Sequence, residues 1–154
     1  MAKGSEIIVT SPERGVRLEG LLTSAQNRQV GTICQLKAST EPVGGRHTYE
    51  RFQPGANGNR RPIYVVLNDT LRGMGPTQYY TAGDRLLLYV PRPGEELNIY
   101  TNAGTYAIGD LLMLVNASGA LTATSGTPES EPFMCMETLT LSDAGLLHVM
   151  YTGY

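Results

Sequence analysis

The sequence predicts an all-β protein, a small barrel or sandwich with an extended N-terminal arm, and three observations predict it. Eighteen glycines and nine prolines punctuate 154 residues, so the longest stretch free of both is 12 residues, 133–144, and no other exceeds 10. An average globular helix is about 11–12 residues long and disfavours both residues in its interior, which leaves little room for one. Between the breaks apolar residues alternate, as in Leu86, Leu88 and Val90 or Leu147, Val149 and Tyr151, the period that turns one strand face inward. Many short alternating runs between turn residues build a barrel or sandwich.

From the N-terminus, "EIIVT" at 6–10 is apolar and β-branched but is separated from the rest of the chain by "SPERG". Residues 1–15 are therefore expected to form an arm, and 16–154 a single barrel or sandwich domain. Strands are expected at 16–22, 30–36, 47–53, 63–68, 85–90, 97–101, 111–115, 120–123, 133–137 and 146–151. Two connections are long and polar, 39–62 and 124–132. The first is expected to be an insertion whose middle pairs as the strand at 47–53.

Two segments are near copies: "YTAGDRLLLYV" at 80–90 and "YAIGDLLMLV" at 106–115. Glycine supplies a positive φ and the aspartate bonds back to the chain as the strand opens. This is one strand-opening turn built twice, with the tyrosines expected to cap one end of the barrel. Two copies are too few for a solenoid. Biotinyl and lipoyl carrier domains also use a Gly-Asp turn, but they need a lysine exposed on a hairpin. Lys3 and Lys37 are the chain's two lysines, and neither has that setting.

Catalytic chemistry finds little footing. His47 and His148 are the two histidines. His47 with Glu50 lacks a third ligand nearby, so no metal site is expected. His148 lies on the strand face opposite Leu147, Val149 and Tyr151 and has no evident nucleophile to serve. Nucleophile elbow, phosphate loop and H-E-x-x-H motifs are absent. The acid pairs Glu95–Glu96 and Glu129–Glu131 sit in turn-like polar surroundings and are read as solvated. Cys34 and Cys135 are too few and too far apart for a disulfide framework or zinc site and are read as buried thiols. The protein is expected not to be an enzyme and to use no cofactor.

Two features point to surfaces. "RHTYERFQPGANGNRR" carries Arg46, Arg51, Arg60 and Arg61 with Tyr49 and Phe52 interleaved, the composition of a single-strand binder, in which arginines meet phosphates and aromatics stack on bases. The acidic total charge and the lack of a longer basic stripe argue against it. The expectation is a solvated loop whose arginines meet an acidic protein neighbour, with no nucleic acid bound. Charge is also divided along the chain. Residues 1–92 hold all 12 Lys and Arg against seven acids, +5, and residues 93–154 hold seven acids and no Lys or Arg, −7. Such a chain can pair with copies of itself, or folding can intermix the halves. No apolar run approaches the ~18 residues of a membrane span, and the first residues lack an apolar signal core. The protein is expected in the cytoplasm where it is made, with no membrane partner.

The order of these features resembles the small β-rich decoration, or cement, proteins on the outside of tailed-bacteriophage heads. The resemblance is carried by the short extended start "MAKGSEIIVTSPERG", a strand of the type "GTICQLKA" and the repeated Gly-Asp openings. It continues in "NASGALTATSG" and in a last strand, "GLLHVMYTGY", that runs almost to the final residue. It covers most of 16–154 and rests on texture and order, without a specific motif. It implies a β-tulip-like barrel standing as a homotrimer on the outer capsid surface of a virion, reinforcing the head by bridging major capsid protein subunits. The arm (Glu6, Ile7, Ile8, Val9, Thr10) would lie on the capsid by strand addition, exposed on an isolated chain. Apolar strand faces, including Leu146, His148 and Met150, would supply the subunit contact. The rival functions are a single-stranded nucleic-acid-binding barrel using Arg46–Arg61, and a receptor- or glycan-binding head domain with tyrosines as stacking platforms.

Overall fold

A computed structural model describes residues 7–9, 15–24, 27–38, 40–52, 62–114, 120–123 and 132–153. The described chain is all-β. Its strands are β1 (Val16–Leu22), β2 (Arg28–Gln29), β3 (Ile33–Leu36), β4 (Thr48–Arg51), β5 (Tyr64–Leu67), β6 (Tyr79–Tyr80) and β7 (Arg85–Val90). They continue with β8 (Glu96–Thr101), β9 (Gly104–Tyr106), β10 (Leu111–Leu114), β11 (Leu121–Ala123), β12 (Phe133–Cys135), β13 (Leu139–Leu141) and β14 (Gly145–Tyr151). A 3-10 turn, Thr70–Arg72, lies between β5 and β6.

The strands close two barrels where the sequence suggests one. The first has the order β1-β4-β3-β5-β7 and the second β10-β11-β8-β14-β12. The second repeats the first strand for strand. In each, the opening strand pairs parallel with the third barrel strand (β1 with β4, β8 with β11). It pairs antiparallel with the last (β1 with β7, β8 with β14). Even the extra two-stranded ribbons correspond: β2 pairs β6 in the first unit, and β9 pairs β13 in the second.

Alternation decides what is inside. Leu86 and Leu88 of β7, Leu97 and Ile99 of β8, and Leu147 and Val149 of β14 are fully buried. Each such side chain contributes about 1.5–3 kcal/mol by leaving water. One cluster of buried side chains runs through both barrels, from Ile7 to Val149. Gly20 admits the Tyr49 ring, which would lie 2.3 Å from a Cβ at that position, and Tyr49 meets Tyr64 edge-on at 4.9 Å between ring centres.

The barrels are joined along the edge of β8 that β11 leaves open, since β11 reaches only Thr101. Ile8 bridges antiparallel to Leu97. The Val9 amide donates to Glu96 O at 3.0 Å, and Asn98 N donates to Ile7 O at 2.7 Å. Two residues on, Tyr100 N donates to Gly31 O, while Gly31 N donates to Val66 O of the first barrel, both at 2.8 Å. Ile7 and Ile8 are 1% and 6% exposed. This corrects, for residues 7–9, the expectation of an arm exposed on the isolated chain: they pair with the chain's own sheet edge. Val9 remains 43% exposed, and Glu6 and Thr10 lie outside the described residues.

Gly31 makes a testable joint. Its φ is +82°, and an added Cβ would sit 2.8 Å from Leu146 Cδ2 and 3.3 Å from Tyr100 N. Gly31→Ala is expected to cost about 3 kcal/mol, combining left-handed strain with overpacking and exceeding the entropy the unfolded chain loses. Urea unfolding checks this. An unchanged midpoint would show that the barrel junction tolerates a side chain there.

Candidate interaction surfaces

The Gly-Asp segments are the same turn. Gly83 and Gly109 have φ of 86° and 92°. Asp84 Oδ2 accepts from Thr81 N at 2.9 Å, and Asp110 Oδ2 from Ala107 N at 2.8 Å. In each, the aspartate amide also donates to the carbonyl three residues back, at 3.0 Å. The tyrosines do not cap one barrel end together. Tyr80 lies on β6 beside the first barrel and donates to Leu67 O at 2.7 Å. Tyr106 lies on β9 beside the second and donates to Asn102 O at 2.6 Å.

A third copy of the turn, "RPGE" at 92–95, links the barrels, and its acid departs from the solvated setting its neighbours in sequence suggest. Gly94 has φ 89° and Glu95 N donates to Arg92 O at 3.1 Å. Glu95 is not solvated but 0% exposed. Its carboxylate accepts from Arg92 N at 2.6 Å, Tyr89 Oη at 2.6 Å and Gly15 N at 3.1 Å. Gly15 N also donates to Tyr89 Oη at 2.8 Å. One acid thus fastens the start of β1, the end of β7 and the start of β8.

The arginine stretch is partly internal structure. Arg46 reaches Glu19 through Nη2 at 3.1 Å and Nε at 3.2 Å. Glu19 also meets Arg85, which reaches Asp69, both at 3.5 Å. Arg51 is half-buried on β4. Tyr49 and Phe52, the aromatics that base stacking would need, are core residues, 4% and 8% exposed. Arg60 and Arg61 lie outside the described residues.

Leu146, His148 and Met150 share the outer face of β14 and are half-buried. Leu146 packs towards Gly31 of the first barrel, so part of this face is used within the chain. His148 Nε2 lies 2.6 Å from Glu96 Oε2, and Glu137 Oε1 accepts from His148 N at 2.7 Å. Cys34 and Cys135 are free and buried, and burial pushes the Cys34 thiol up to about 12, keeping it neutral and unreactive.

The charge division survives folding because each half of the chain forms its own barrel. Among the described residues, 16–90 carry seven Lys and Arg against five acids, +2, and 96–151 carry four acids and no Lys or Arg, −4. The molecule has a basic barrel and an acidic one. Exposed apolar side chains stand on both: Val16, Val43, Leu71 and Tyr79 on the first, Ile108 on the second.

No family model matches the chain, and no curated protein matches its sequence. Among solved structures it is similar to the N base of the head fibre protein gp8.5 of bacteriophage phi29. The TM-score is 0.54 at 11% identity, and the match covers 91% of this chain and 96% of that one. At that identity the likeness is one of fold.

Proposed function

We propose that the protein is a structural virion component that decorates the outer surface of a tailed-phage head and stabilises it by bridging major capsid protein subunits. The observation that carries this is the likeness, along nearly the whole of both chains, to the base of a phage head fibre. Two rigid barrels of one topology and opposite charge suit a bridging role, since each end favours a different electrostatic neighbour. Capsid contact is assigned to exposed surface such as Val9 and Val43 rather than to Ile7 and Ile8, which face the core.

Between identical copies, a basic barrel meeting an acidic one is a head-to-tail contact, which closes into a ring when the rotation permits. A threefold ring matches the local threefold positions of a phage head, so the protein stands there as a homotrimer. Exposed ion pairs contribute only about 0–1 kcal/mol each, and apolar surface around His148 and Met150 must add to them. A mass-spectrometric inventory of purified virions is expected to contain the protein, and its absence overturns the proposal. Imaging of decorated heads is expected to show density on threefold positions. Single or twofold-paired density elsewhere overturns the trimer.

A further inference from the structure

The two barrels close by the same strand order, so a connection long in one and short in the other shows what closure does not require. Between β12 and β13 only residues 136–138 intervene, three in all, whereas between β5 and β6 there are residues 68–78, eleven. The first unit therefore carries eight extra residues at this point.

Those residues are built, not slack. The 3-10 turn Thr70–Arg72 ends on Gly73 at φ 72°. Met74 N donates to Asp69 O at 3.0 Å, Asn68 Nδ2 to Met74 O at 3.3 Å and Gly75 N to Gln78 Oε1 at 3.0 Å. Two bonds from the β2 region, Gln29 Nε2 and Val30 N to Gln78 O, both at 3.0 Å, fix the far end to the barrel.

Beside this segment lies an open groove of about 420 Å³ lined by Arg72, Met74, Thr77, Gln78, Tyr79 and Asp84. Tyr79 is 61% exposed while its neighbour Tyr80 is 1% exposed, as strand alternation requires. We propose that this groove is a carbohydrate-binding site, with Tyr79 as the platform on which a sugar ring stacks. The inference goes beyond the capsid role and holds whether or not the chain sits on a phage head.

The lining chemistry selects the ligand class. An anion would meet Asp84 as well as Arg72, and a wholly apolar ligand would find only Met74 and the Tyr79 ring. A sugar suits both parts. Its hydroxyls each donate and accept, matching the Arg72 guanidinium, the Thr77 hydroxyl, the Gln78 amide and the Asp84 carboxylate. Asp84 commits Oδ2 to the turn, and Oδ1 is its other acceptor. One ring face of a sugar carries C–H groups whose positive polarity suits the negative face of an aromatic ring. The groove is open to solvent, so a sugar would lie along it with one ring on Tyr79 and would not be enclosed.

Saturation-transfer NMR on the intact protein tests the proposal, with cellobiose, chitobiose and galactobiose as neutral probes and sialyllactose and glucose 6-phosphate as anionic ones. At least one neutral disaccharide is expected to bind in the millimolar range, weakened about tenfold by Tyr79→Ala and retained by Tyr79→Phe. Arg72→Ala is expected to weaken it several-fold, and both exposed-site variants are expected to keep the parent melting temperature. Failure of every neutral probe overturns the proposal. So does binding indifferent to Tyr79→Ala, or binding confined to the anions and lost with Arg72 alone. A groove that takes only a protein surface would give no saturation transfer to any of these probes, which is the first of those outcomes.

Discussion

Replacing Ile7 and Ile8 together by alanine is expected to remove a large part of the protein's stability at room temperature. Both side chains are inside the core cluster, and an Ile→Ala change in a core costs about 2–5 kcal/mol through lost transfer energy and the cavity left behind. The pair therefore removes roughly 4–10 kcal/mol if the sites are independent, against a usual domain stability of about 5–15 kcal/mol. Val9→Ala, on a 43% exposed side chain, is expected to change little and serves as the control. Urea denaturation followed by circular dichroism reads both variants against the parent. A double variant as stable as the parent would mean that 7–9 is a detachable arm after all.

Glu95→Ala is expected to produce the second large loss, about 3–5 kcal/mol. It takes away the acceptor shared by Arg92 N, Tyr89 Oη and Gly15 N. A buried donor left without a partner costs about 1–3 kcal/mol. Glu95→Gln keeps the shape and one acceptor oxygen but turns an NH₂ group towards donors, so its loss is expected to be intermediate. Thermal unfolding of the two variants checks the order. Glu95→Ala within about 1 kcal/mol of the parent, the cost of a single such donor, would show that the inter-barrel turn does not depend on its acid.

The larger strands are legible in the sequence, and the reasons for the failures are local. Arg85–Val90 matches its expected strand end to end because Gly83 and Pro91 bracket it, and Val16–Leu22 does so even with Gly20 inside it. The four missed strands, β2, β6, β9 and β13, have two or three residues each, too few for alternation to be read. They form the two small ribbons, so one cause hides one kind of structure. Strand periodicity is also silent on which edges meet, and so the sequence suggests one barrel where two close.

Among candidate surface residues, composition misleads where a core needs the residue. Tyr49 and Phe52 read as stacking aromatics because arginines flank them, yet β4 turns Tyr49 inward against Gly20. Glu95 carries a usable signal: Gly94-Glu95 has the same spacing as Gly83-Asp84 and Gly109-Asp110, and all three acids accept from the amide three residues back. What spacing cannot supply is the depth of Glu95, which comes from Tyr89 and Gly15 arriving from other strands.

The pairing of 7–9 with β8 also sets an order of events during synthesis. Every strand of the first barrel has been made once residue 90 is in place, but the partner of Ile7–Val9 is Glu96–Asn98, about ninety residues downstream. Chain elongation at ~5–20 residues per second leaves that apolar, β-branched stretch without its mate for several seconds. The beginning of the chain is thus among the last parts to settle. During that interval it is an open strand edge, the kind of surface that joins a neighbouring nascent chain, so fast translation or early docking of the second barrel should favour soluble product.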